Sequence, residues 1–123
     1  PPHAKDWIEQ LGSLVEIDGE PKAVSLILKL KNKDAVAPNV TQGKDTISVR
    51  IPDHWFSEVV NEIGVPVITT SANPTGGDFM TNKDNVHPRV KQHVHYCIYE
   101  GEKRGNPSTL VHLHQEAVDI KQR

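Results

Sequence analysis

The sequence predicts an α/β protein with a twisted, open sheet, mostly parallel or mixed. Three observations predict it. Segments of alternating polarity separated by polar turns read as strands. An amphipathic helix sits between two of them, giving a strand–helix–strand unit from Thr46 to Thr70. The second strand of that unit, Val65–Thr70, is short, β-branched and almost wholly apolar, and it runs into the polar, glycine-rich loop Ser71-Ala72-Asn73-Pro74-Thr75-Gly76-Gly77. Ligands of open α/β sheets gather where strands end in such loops. The 123 residues are one domain's worth, read as a single domain over residues 1–123.

In chain order, Asp6–Val15 places Trp7, Ile8, Leu11, Leu14 and Val15 on one helical face, with Gly12 as a weak point. Asp18-Gly19-Glu20-Pro21 reads as a turn. Ala23–Leu30 alternates Val24, Leu26, Leu28 and Leu30 against Ser25, Ile27 and Lys29, a strand pattern, and Lys31–Asp34 follows as a solvated turn. Residues 36–45, with Pro38, Asn39 and Gly43, read as irregular. Thr46–Ile51 alternates again, with Ile47, Val49 and Ile51 on one side and Thr46, Ser48 and Arg50 on the other. Pro52 stops that strand and opens a helix whose stripe is Trp55, Phe56, Val59, Val60 and Ile63, with Gly64 as its stop. A right-handed crossover then brings Val65–Thr70 in as a parallel neighbour, buried on both faces. Thr81-Asn82-Lys83-Asp84 resembles a capping box, with a short helix limited by Pro88. Val94–Tyr99, Ser108–Leu113 and Val118–Ile120 complete the strands.

Composition narrows the function classes. A formal net charge of −2 and a pI near 6.4 give no dominant basic field, so composition does not support strong nucleic-acid binding. A single cysteine, Cys97, excludes an intrachain disulfide, fits a reducing, cytoplasmic setting and reads as a core residue. No apolar run approaches the roughly 20 residues that span a bilayer, so no membrane partner is expected. His93 and His95, and again His112 and His114, sit two apart on predicted strands, yet no third ligand stands at matching spacing, and no metal site is expected. Ser71 lacks a nucleophile elbow, and there is no Walker-type phosphate loop. What remains is a set of hydroxyls, one amide and one arginine near strand ends: Thr46, Arg50, Ser71, Asn73, Thr81, Ser108 and Thr109. These groups fix anions and orient reactants rather than abstract protons.

Three segments resemble the YrdC-like family. Thr46-Ile47-Ser48-Val49-Arg50-Ile51-Pro52-Asp53-His54 is similar to its Thr-Val-Gly-Val-Arg-Ile-Pro-Asp-His signature. Pro66–Gly77 is similar to its Pro-Leu-Val-Thr-Thr-Ser-Ala-Asn-x-Ser-Gly signature, and Pro107–Val111 to its Pro-Ser-Thr-Val-Val segment. The order and intervals agree, from about Pro21 to the last residue. The resemblance implies synthesis of L-threonylcarbamoyl-AMP from L-threonine, bicarbonate and ATP (with Mg2+), releasing pyrophosphate. The intermediate feeds threonylcarbamoyl modification of a tRNA adenosine. It further implies that Arg50, Ser71 and Ser108 hold the threonine carboxylate, and that Thr46, Asn73 and Thr81 contact ATP. Arg123 stands where a late arginine of the family reaches the nucleotide. RNA or tRNA, and tRNA-modification proteins that use the intermediate, are the implied partners.

Two departures matter. The family's Pro-Gly-Pro-x-Thr stretch is here Pro21-Lys22-Ala23-Val24-Ser25. The family's N-terminal portion, with its Pro-Thr-Asp-Thr-x-Tyr-Gly-Leu segment and Lys-x-Arg motif for ATP phosphates, does not occur in this sequence. The chain is therefore expected to lack the N-terminal part of the family fold, to hold only part of the site, and to bind ATP weakly by itself. The alternatives are a non-catalytic nucleotide- or double-stranded-RNA-binding module of the same fold, and a related synthase acting on another acceptor.

Overall fold

The computed structural model describes residues 4–123. These residues form an α/β fold in two compact units, residues 4–64 with 108–123 and residues 65–107. In the first unit, α1 (Ala4–Glu9) leads to a hairpin of β1 (Val15–Ile17) and β2 (Glu20–Lys22), then β3 (Val24–Lys29). A single 3-10 turn at Lys33–Ala35 and the short α2 (Pro38–Thr41) precede β4 (Thr46–Val49) and α3 (Phe56–Ile63). Of the later elements, α4 (Pro88–Lys91) lies in the second unit, and β5 (Thr109–His112) and β6 (Asp119–Lys121) return to the first.

An open mixed sheet of order β4-β3-β5-β6 organises the first unit. Strands β3 and β5 are parallel, with Leu26 beside Val111; β4 and β6 flank them antiparallel. The register gives the sheet two unlike faces. One carries Val24, Leu26, Leu28, Val49, Val111 and Ile120; the other carries Ser25, Ile27, Lys29, Thr46, Ser48, Leu110, His112, Asp119 and Lys121. The core forms on the apolar face: Val24, Leu26, Val111 and Leu113 meet Val15 and Ile17, with Ala4, Trp7 and Leu11 packed against them.

Local chemistry explains the boundaries. The expected helix over Asp6–Val15 ends at Glu9. Tight turns, such as Leu11 N–H to Ile8 O at 3.1 Å, lead into Gly12 at φ 91°, and Val15 already belongs to β1. The expected four-residue turn at Asp18–Pro21 is a two-residue hairpin turn: Asp18 (φ 53°) and Gly19 (φ 80°) adopt the left-handed backbone that such turns require, so Glu20 and Pro21 are strand. Pro21 faces Glu16, one pair beyond the pair flanking the turn. Pairs at that step exchange no hydrogen bonds, so its missing N–H costs the hairpin nothing. The stretch expected to be irregular contains α2, opened by Pro38 and ended by Gln42 at φ 53°. Helix α3 stops as expected at Gly64, whose N–H returns to Val60 O, but its stripe is only partly covered: Val59 is 37% and Ile63 56% exposed.

Four expectations are corrected. The crossover from β4 to a parallel neighbour at Val65–Thr70 does not form; the parallel pair is β3 with β5. Val65–Thr70 and Val94–Tyr99 have strand composition but pair with no other strand among the described residues, and Ile68 and Tyr96 are 75% and 92% exposed. A strand is made by its partner, and composition alone does not supply one. Cys97, expected in a core, is therefore exposed. The short helix of this unit begins at Pro88 instead of being limited by it, because a proline at the first helical position gives up a donor that would have no partner anyway.

The core assignment makes a measurable prediction. Leu26 is fully buried, so Leu26→Ala should lower stability by about 2–5 kcal/mol in denaturant unfolding. Ile68→Ala, at an exposed position, should stay within about 0.5 kcal/mol of the parent.

Candidate functional site

One end of the four-stranded sheet collects polar groups on its polar face. Ser25 lies in β3, and Ser108 immediately precedes β5. Both are buried, at 3% and 4% exposure, and their hydroxyl oxygens are 2.5 Å apart. Arg123, two residues past β6, grips Ser108 twice: its Nε–H donates to the Ser108 carbonyl at 2.9 Å and its Nη2–H to the Ser108 hydroxyl at 3.0 Å. On the opposite flank, Arg50 directly follows β4, whose last pair with β3 is Val49 with Leu26. Arg50 is exposed and makes no hydrogen bond or ion pair with the described residues. At this end of the sheet Ser25, Ser108 and Arg123 are linked by hydrogen bonds, and Arg50 stands one residue past the end of β4. A guanidinium beside two buried hydroxyls, with a second arginine just past the end of β4, suits a carboxylate or phosphate oxygen, because planar forks match such groups.

Of the residues singled out from the sequence, the structure brings Ser108 and Arg123 into contact. Thr46 shares their face, opposite Lys29, but stands at the far end of β4, roughly 13 Å along the strand from Arg50. Thr109 opposes Val24 on the apolar face and is buried, with its N–H donating to Ala23 O at 2.8 Å; it is a structural residue. Ser25 was missed as a site residue. Its signal was a serine among the apolar residues of a strand that is buried at that point.

The second unit holds Ser71, Asn73 and Thr81. The loop after Thr70 is closed by its own groups: Ala72 N–H donates to Thr70 Oγ1, and Gly77 N–H to Pro74 O at 2.8 Å. The Asn73 amide donates to Pro74 O at 3.1 Å and to Gly77 O at 3.2 Å. Its Oδ1 is buried with no partner among the described residues. Toward a ligand Asn73 thus offers an acceptor, suited to an N–H or O–H group and not to a bare phosphate oxygen. Gly77 sits close here: a Cβ would stand 3.0 Å from Pro74 O, so a side chain would make the turn give by a few tenths of an ångström. Ser71 is exposed in the same loop. Thr81 is fixed by Asn85, whose Oδ1 accepts from Thr81 N–H at 2.9 Å and whose amide donates to Thr81 Oγ1 at 2.8 Å.

The histidine pairs separate. His112 and His114 meet edge to face, with ring centroids 5.5 Å apart, in the first unit, and His112 Nε2 and His114 Nδ1 have no partner among the described residues. His93 and His95 lie in the second unit outside any strand. Among the described residues no three His, Cys, Asp or Glu side chains come together as a metal site.

A mixed open sheet with a serine–arginine set at one end defines an α/β domain organised for hydrogen bonding at its sheet end. The family model described as "Telomere recombination", which takes in the YciO and YrdC proteins, matches residues 5–123, and the chain belongs to that YrdC-like family. Over 95 residues it is 34% identical to a candidate threonylcarbamoyl-AMP synthase of Methanocaldococcus jannaschii, covering 76% of this chain and 44% of that protein. Over 67 residues it is 39% identical to the threonylcarbamoyl-AMP synthase of Bacillus subtilis (strain 168), covering 54% of this chain and 19% of that protein. The chain spans less than half the length of these relatives. No solved structure matches it significantly. Among the described residues no helix is long and apolar enough to cross a membrane.

The loop geometry predicts that Asn73→Asp, which removes both amide donors and keeps the shape, opens the turn. Hydrogen exchange at the Gly77 amide should then rise at least severalfold, with unchanged exchange in β3 and β5.

Proposed function

We propose that the chain contributes part of the site of an L-threonylcarbamoyl-AMP synthase acting on L-threonine, bicarbonate and ATP. The carrying observation is the hydrogen-bonded Ser25–Ser108–Arg123 set with Arg50 just past the end of β4, in a chain whose relatives bear that activity in their names. In this reading Arg50 and Ser108 hold the threonine carboxylate, leaving the amino group to condense with bicarbonate and lose water. An oxygen of the resulting carbamate displaces pyrophosphate at the α-phosphorus of ATP. Arg123 and Thr46 serve the nucleotide. Holding reactants in line and balancing charge are what guanidinium and hydroxyl groups do well.

The described residues offer no carboxylate cluster for Mg2+. The ion would enter as the counterion of ATP, and no step is assigned to it through this chain. Delivery of the intermediate to a tRNA-modification protein completes the proposal. The competing reading, an RNA-binding module, rests on phosphate contacts by clustered lysine and arginine. Its mark would be steep weakening of RNA binding with salt.

Charge-assisted hydrogen bonds contribute about 1.5–3 kcal/mol. Arg50→Ala in the full-length protein should therefore raise the threonine Kd roughly tenfold or more, measured by calorimetric titration. Unchanged threonine affinity in a folded variant would sink the assignment.

A further inference from the structure

Ser25 has a role that its burial and geometry define. Its hydroxyl is buried, with the Ser108 hydroxyl at 2.5 Å as its hydrogen-bond partner. Either hydroxyl can be the donor of this bond, and in one direction the Ser25 proton goes to Ser108 Oγ. That oxygen has two lone pairs. One receives the Ser25 proton and the other the Nη2–H of Arg123. Both acceptor positions of Ser108 are then filled, and its own proton is left as the group it can offer. In the reverse direction Ser108 gives its proton to Ser25 and the Ser25 proton is the one left without a partner among the described residues, so only the first direction lets Ser108 donate to a bound oxygen.

We propose that Ser25 is a positioning residue: by donating to Ser108 it holds that hydroxyl as a donor aimed at a carboxylate or carbonyl oxygen of the substrate. This deepens the synthase reading and rests on it. Arg123 supplies the second filled lone pair, so the two act as a pair that fixes one proton. A serine bound only by Arg123 would retain a free lone pair and could turn to accept from the ligand's ammonium group instead. The Ser25–Arg123 arrangement thus selects the acidic end of an amino acid over its basic end.

The test is a double-mutant cycle in the full-length protein, read by calorimetric titration with L-threonine and separately with ATP. Ser25→Ala should raise the threonine Kd about five- to tenfold and leave the ATP Kd within about twofold. In a Ser108→Ala background the same change should have no further effect on threonine. Ser25→Thr, which keeps the donor, should recover most of the loss. Ser25→Cys, nearly the same shape with a weak donor, should fall between parent and Ser25→Ala, and serves if the alanine variant does not fold. Equal losses for threonine in the two backgrounds, equal losses for threonine and ATP, or parent-like threonine affinity in both Ser25→Ala and Ser25→Cys would overturn the role of Ser25 while the synthase reading stands. Absence of threonine binding by the unmodified protein would overturn the synthase reading and this role with it.

Discussion

The parallel pairing of β3 with β5 is the contact on which the first unit depends. It joins segments far apart in the chain, as the 83-residue separation of Ser25 and Ser108 shows. Closing so long a loop is entropically unfavourable, and each doubling of its length adds only a little to that cost. The pairing is stabilised by the burial of Leu26 and Val111, neighbours across it and both fully inaccessible. Strands β4 and β6 hang on its two sides, so the arginines near their ends are placed by the same contact. The hydrophobic interaction on one face thereby positions the hydrogen-bonding groups on the other.

Much of this arrangement was legible in the sequence. The alternation in Ala23–Leu30, Thr46–Ile51 and Ser108–Leu113 found three of the four strands of the sheet closely, and Gly64 marked the end of α3. Periodicity does not report pairing, so the parallel neighbour of the central strand was misassigned. It also does not report burial when no partner strand is present: Val65–Thr70 and Val94–Tyr99 look like strands because β-branched and aromatic residues fill them, yet their exposure follows from the lack of a ladder. The Asp18-Gly19 turn was underread. The dipeptide alone specifies a two-residue hairpin, and four residues were assigned where two suffice.

The site divides in the same way. Arg50, Ser108 and Arg123 were found through motif or position, since charged and hydroxyl groups near strand ends stand out. Ser25 did not, because a single serine in an apolar strand resembles an ordinary polar interruption. Only the register shows that it faces away from Val24 and Leu26, toward Ser108. Asn73 illustrates a second limit. Its residue type suggests both donor and acceptor, but the fold commits the donors to the loop and leaves the acceptor. What a side chain can offer a ligand depends on what its neighbours have already taken.

Pro21 has a consequence beyond the hairpin that contains it. In a two-residue hairpin the second pair from the turn directs its backbone donors outward, away from the partner strand. At that outward position β2 carries a ring nitrogen with no hydrogen to give. A strand of another molecule laid alongside β2 would find its central acceptor unmatched, in an edge only three residues long. The margin of this small sheet is thereby insulated from intermolecular recruitment, and a proline that looks like a turn residue acts as a guard against self-association.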